Sequence, residues 1–274
     1  MSAPWNSLAT RLRVPGGAWT RRRPLVAQAL AEVRADVVGL QEDSQDLGCA
    51  EGGSQSAQLA ADLGYACGAV PNTWEGGVRK GNAVLSRHPI LGLRAAPLPA
   101  APGEAERHGA GVRDALHAAI QTPCGLIHFF VAHLTTRGEA ARLAEAAHLL
   151  AHVQARATDG TAIVVGDLNA LPQSETVRLL TGRAGAPRLR LRDAWAEANA
   201  GDPGLTMLFH TPRTPGETGA RIDYVLVGPG PEVVRAVLLG TEPDADGFYP
   251  SDHFGVAATL RWPAPRQPPP RWRS

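Results

Sequence analysis

The chain has 274 residues, 44% hydrophobic and 19% charged, with a formal net charge of +1. That is ample length for a buried core. Near-neutrality weighs against, without excluding, a protein whose main task is to grip long nucleic acid, because phosphate contacts dominate that affinity.

No apolar run reaches the roughly 18 residues a membrane span needs. The opening Met1-Ser-Ala-Pro-Trp-Asn lacks the apolar core of a secretory signal, so a cytoplasmic monomer without a membrane span is expected. Cys49, Cys67 and Cys124 form no C-x-x-C pair and are odd in number. Zinc knuckles and a disulfide framework are disfavoured, which leaves reduced thiols used mainly in packing.

In chain order, helical periodicity spans 22–34 and a short apolar run at 36–40 reads as a buried strand. A second helix follows at 56–63, then strands at 82–86 and 126–131. The stretch 139–156 is a longer helix, with Leu143, Ala147, Leu150 and Val153 near one face. A strand at 162–165, a short helix at 174–180 and strands at 223–227 and 254–261 complete the series. Mixed strands and helices with hairpin-length gaps predict an α/β fold of the layered sandwich type. One domain is expected over 1–262. The Pro- and Arg-rich tail at 263–274 is expected to be disordered.

Chemistry-bearing residues gather at strand ends. The apolar run at 162–165 stops at Gly166-Asp167-Leu168-Asn169. Asp167 and Asn169 are two apart, so on an extended segment they share a side. A carboxylate binds a metal or takes a proton, and an amide donates to a phosphoryl oxygen; an ordinary turn uses the same residues. Ser251-Asp252-His253, just before the last strand, pairs a hard oxygen ligand with a base of near-neutral pKa. Leu40-Gln41-Glu42 ends a buried strand in a carboxylate suited to magnesium. His133 ends another strand, where a lone histidine is more often structural. In Arg221-Ile222-Asp223-Tyr224 the carboxylate suits the orienting of an imidazole. Each segment alone is weak. Together they place acids, amides and imidazoles where α/β folds build active sites.

In this order the segments resemble the endonuclease/exonuclease/phosphatase superfamily of deoxyribonuclease-like, metal-dependent phosphoesterases. Gly81-Asn82-Ala83-Val84-Leu85-Ser86-Arg87 and Ala132-His133-Leu134 belong to the same set. The resemblance implies a four-layer α/β sandwich, two packed mixed β-sheets flanked by helices. It implies a catalytic divalent ion, Mg²⁺ with Mn²⁺ able to substitute, held by Glu42, with Asp252 as a further metal-site carboxylate. It implies that Asp167 orients or deprotonates the attacking water and that Asn169 helps hold water and phosphate. His253 would bind a phosphoryl oxygen, oriented by Asp223, and His133 would stabilise the phosphate or assist the leaving group.

Members of the superfamily open with a strand ending in an asparagine beside the metal. Trp5-Asn6 resembles that strand end, so Asn6 is a metal-site candidate. Only 1–4 precede it, and both a short first strand and a start downstream of the natural one stay open. Loops at 71–80 (Trp74, Arg79, Lys80), 99–113 (Arg107, His108, Arg113) and 203–220 (His210, Arg213) are the expected specificity elements. The expected substrate is a small or lipid-derived phosphoester. Nuclease action on DNA or RNA is the alternative, and a catalytically silent family member that binds a partner is a third reading.

Overall fold

The computed structural model describes residues 5–11, 19–46, 53–75, 78–99, 113–183, 189–208 and 219–263. Two six-stranded sheets dominate. The first runs β13 (Glu232–Leu239), β14 (Gly255–Arg261), β1 (Trp5–Arg11), β2 (Val37–Asp46), β4 (Val78–Ser86), β3 (Ala66–Glu75). The second runs β5 (Ile90–Pro97), β6 (Asp114–Thr122), β7 (Gly125–His133), β8 (Thr161–Asp167), β12 (Asp223–Val227), β9 (Arg192–Asp193). A small hairpin, β10 (Met207–Leu208) with β11 (Gly219–Ala220), stands apart.

Side-chain alternation along the strands sorts the apolar residues into three layers of core. Between the sheets, Val37, Val84, Val256 and Leu260 meet Phe129, Val131, Ile163, Val165 and Val225. The outer face of the first sheet carries Val38, Leu40 and Leu85 against Val26 and Leu30 of α1 (Trp19–Val33) and Leu59 of α2 (Gln55–Leu63). The outer face of the second carries Phe130, Val164 and Leu226 against Leu149 and Val153 of α3 (Glu139–Arg156) and Val177 of α4 (Glu175–Leu180). Helix, sheet, sheet, helix is the four-layer α/β sandwich that the family resemblance implies. A short α5 (Ala194–Ala198) adds Trp195 to the edge of the inter-sheet core. No helix among the described residues is long and apolar enough to cross a membrane.

Strands with strong apolar runs stand where expected, and β12 and α3 keep their predicted bounds. Seven strands went unread, the two-residue β9, β10 and β11 among them. β5 is an edge strand that is only partly buried, and β6 is alanine-rich and interrupted by His117, so neither shows a clean apolar period. β3 and β13 are likewise edge strands. The first strand differs too: Asn6 lies near the start of β1 rather than at its end. The expected loop at 71–80 is largely a β3–β4 ribbon. Cys67 is exposed rather than packed, and Cys49 lies outside the described residues.

At the end of the second sheet where β7 begins, a histidine relay ties β6, β7 and the turn before β8. His117 Nε2 lies 2.9 Å from His128 Nδ1, and His128 Nε2 lies 2.9 Å from Asp159 Oδ1. The His117 ring stacks on Phe130 at 4.6 Å. Burial first, then the nearby His128, His152, Arg156 and Arg94, push the His117 pKa from 6.5 down to about 4. The folded-state value is depressed, so the neutral ring's contribution is intact above pH 6.5 and is lost as pH falls towards 4. Between pH 7 and pH 5 the wild type should lose about 2 kcal/mol more stability than His117→Gln. Urea denaturation of both proteins at the two pH values measures this, and equal losses would count against it.

Candidate active site

The inner rows of both sheets end in polar residues at one mouth of the inter-sheet gap. In the second sheet the register is His133↔Asp167 and Asp167↔Asp223, so three chemical side chains stand in one row across β7, β8 and β12. They continue the inward-facing parity of Val131, Val165 and Val225. All three are buried, Asp167 completely.

His133 Nε2 lies 3.4 Å from Asp167 Oδ2, and its Nδ1 lies 4.0 Å from Glu42 Oε1 across the gap. His253, from the segment before β14, sets Nδ1 2.9 Å from Asp223 Oδ2, with both side chains fully buried. A proton shared there fixes the imidazole's orientation. The other carboxylate oxygen, Asp223 Oδ1, is buried and accepts no hydrogen bond among the described residues.

Glu42 reaches this mouth through a backbone irregularity. Val38 and Leu40 face the outer helices, and strict alternation would send Glu42 the same way. The β2–β4 register shifts between Leu40 and Asp43, and Glu42 takes φ 56°. The bulge turns the carboxylate back towards His133, a use of bulges common beside active sites. Asp43 then sits under α2, accepting from Ser56 N and Ser56 Oγ at 2.7 Å each; burial pushes its pKa up to about 6.

Asn169 also lies in the left-handed region, at φ 49°. Its backbone N donates to Asp167 Oδ1 at 2.9 Å, and its Nδ2 donates to Leu134 O at 2.8 Å. Such a conformation costs free energy and persists where surrounding bonds over-determine it. Tyr224, fully buried, approaches Ala170 O at 2.7 Å and Arg221 O at 3.1 Å with its hydroxyl, bracing the same turn. Arg221 lies over the Tyr224 ring and pairs with buried Asp193 at 2.7 Å. Its role is structural here, which its surface-like sequence setting did not announce.

Asp167, Asp223 and His253 offer ligand atoms all within 4.8 Å of one another. Two carboxylates and an imidazole, with the unsatisfied Asp223 Oδ1, suit a divalent cation. None of the three expected metal-site residues belongs to this group: Glu42 lies beside it, 4.0 Å from His133, and the other two lie elsewhere. Asp252 is exposed, its Oδ1 3.4 Å from the Ser251 hydroxyl. Asn6 is registered against Thr259 and precedes Ser7, which pairs with Val37, so it sits at the opposite end of β2 from Glu42. Its side chain lies outside the described ones, as do Trp74, Arg107, His108, His210 and Arg213.

Residues 5–253 match the endonuclease/exonuclease/phosphatase family. The chain belongs to that family. Its members are phosphoester hydrolases, and a buried cluster of acids and imidazole at the mouth of the sandwich accords with the divalent metals they typically use. No curated protein sequence matches the chain. Among solved structures, an endonuclease/exonuclease/phosphatase from Beutenbergia cavernae is 26% identical with a TM-score of 0.73, covering 94% of this chain and 72% of that one. The Bacteroides thetaiotaomicron mannosyl-6-phosphatase is 21% identical at TM-score 0.70, covering 94% and 100%. Humanized D. rerio TDP2 is 18% identical at TM-score 0.71, covering 95% and 100%.

Gly166, which opens the Gly-Asp-Leu-Asn turn, has a steric reason. A Cβ there would lie 1.8 Å from the Ala132 carbonyl oxygen, on the strand that carries His133. Gly166→Ala should therefore push β7 and β8 apart, costing about 1–3 kcal/mol of stability and displacing Asp167 from His133. Thermal denaturation checks the first effect, and hydrolytic rate in the fraction that stays folded checks the second.

Proposed function

We propose that this chain is a Mg²⁺-dependent hydrolase of a small or lipid-derived phosphoester, with Mn²⁺ able to substitute. The observation that carries this reading is the row of His133, Asp167 and Asp223 joined by His253 at one mouth of the gap. Glu42 would hold the ion at this mouth, with Asp252 a further carboxylate nearby in sequence. When bound, the ion supplies charge neutralisation on the phosphoryl oxygens.

The remaining work falls to the chain's own residues. Asp167, completely buried, orients the attacking water and takes its proton. Asn169 holds the water and a phosphoryl oxygen through its amide. His253 presents Nε2 to a second phosphoryl oxygen, held in place by Asp223. His133 steadies the phosphate from the neighbouring strand. The water oxygen bonds to phosphorus in line with the departing ester oxygen; that P–O bond breaks and the leaving oxygen takes up a proton.

Near-neutral net charge supports a small substrate over a long nucleic acid. The likeness in fold to a mannosyl-6-phosphatase accords with the same reading. With bis-p-nitrophenyl phosphate and Mg²⁺, Asp167→Ala and His253→Ala should each lower kcat by roughly 100-fold or more, and EDTA should abolish turnover. Equal rates in all three proteins would sink the mechanism. Robust EDTA-sensitive cleavage of plasmid or single-stranded DNA would replace the small-substrate reading with a nuclease.

A further inference from the structure

The Asp223–His253 pair is built from elements that share no ladder. Asp223 opens β12 in the second sheet, and His253 precedes β14 in the first. Their 2.9 Å separation therefore needs a tie other than strand pairing. Thr206, completely buried and just ahead of β10, touches both segments. Its Oγ1 accepts from the backbone N of Ile222 at 3.1 Å and of Asp223 at 3.3 Å. Its carbonyl oxygen accepts from the backbone N of Phe254, next to His253, at 2.7 Å. Its own backbone N donates to Ala220 O at 2.9 Å, anchoring it to β11.

We propose that Thr206 is the positioning residue that sets the Asp223–His253 separation by pinning the backbone of both partners. This rests on the reading of that pair as part of the catalytic site. A hydroxyl can accept two hydrogen bonds while donating one. Thr206 Oγ1 receives the two amides and lies 3.5 Å from Ala220 O, in line to donate. An isosteric valine keeps the shape and removes both acceptor positions, leaving two buried N–H groups at the foot of Asp223 unpaired. The carboxylate then shifts relative to an imidazole held from the other sheet, and displacements on the order of 1 Å commonly cost about 10²-fold in rate.

The test compares wild type, Thr206→Val and Thr206→Ser as full chains, by two readouts. The first is the downfield ¹H NMR resonance of the His253 Nδ1 proton, assigned by its absence in His253→Ala. The second is kcat and KM on bis-p-nitrophenyl phosphate with Mg²⁺. Thr206→Val should lose or move the resonance and lower kcat by roughly 10- to 100-fold with KM within about twofold, whereas Thr206→Ser, which keeps the hydroxyl, should restore both. A Thr206→Val protein with an unmoved resonance and wild-type kcat overturns the proposal. So does a Thr206→Ser protein as impaired as Thr206→Val. Should valine prevent folding, Thr206→Ala removes the hydroxyl without added bulk; the same losses support the proposal and their absence overturns it. If no protein, wild type included, turns the substrate over, the proposed activity fails, and the resonance alone still decides whether Thr206 holds the pair.

Discussion

Three hydrogen-bonded strands, β7, β8 and β12, carry His133, Asp167 and Asp223 in one lateral row, and the rest of the site is arranged around it. Register is what makes the row. A slip of one residue in either pairing would turn one of these side chains to the helix-covered face, among Phe130, Val164 and Leu226. The slip is opposed by the apolar residues before them, since Val131, Val165 and Val225 would lose their places between the sheets. The hydrophobic core thus fixes the geometry of this polar row at a distance, by specifying which way each strand end faces.

The first sheet reaches the row by bending rather than by alternation. Glu42 crosses to His133 through a bulge and a left-handed backbone conformation, and Asn169 takes a similar conformation in the turn after Asp167. Both depart from regular geometry beside the same cluster of acids, where strained backbone is expected when function needs a particular direction. The bonds from Asn169 to Asp167 and Leu134, and from Tyr224 to the turn behind it, hold that strain in place. Thr206 extends the same logic across the two sheets.

Buried carboxylates facing one small volume repel one another unless a cation or shared protons offset them. Asp167 and Asp223 on adjacent strands, with Glu42 opposite across His133, are such an arrangement. The electrostatics of the mouth and the family membership therefore point the same way. The neighbours in fold carry different names, a mannosyl-6-phosphatase and TDP2 among them, as expected when one fold hosts many functions.

The sequence by itself determined the layered α/β class and the main core strands, and it singled out His133, Asp167, Asn169, Asp223 and His253, which the fold brings to one mouth. Each ends or borders an apolar run, and such runs are legible because burial on both faces demands them. Edge strands β3, β5 and β13 escaped, because their described side chains are mostly only partly buried and leave no clean apolar alternation to read. The sequence read Glu42 as a metal-site carboxylate from its strand end, but alternation alone sends it to the outer face and only the bulge returns it. Asn6 looked like a site residue from its neighbours in the chain, yet the β1–β2 register sets it at the far end of the sheet. Thr206 carried no signal at all: a lone threonine between Leu205 and Met207 gains its meaning from which backbone amides arrive beside it, and only the packing of the two sheets decides that.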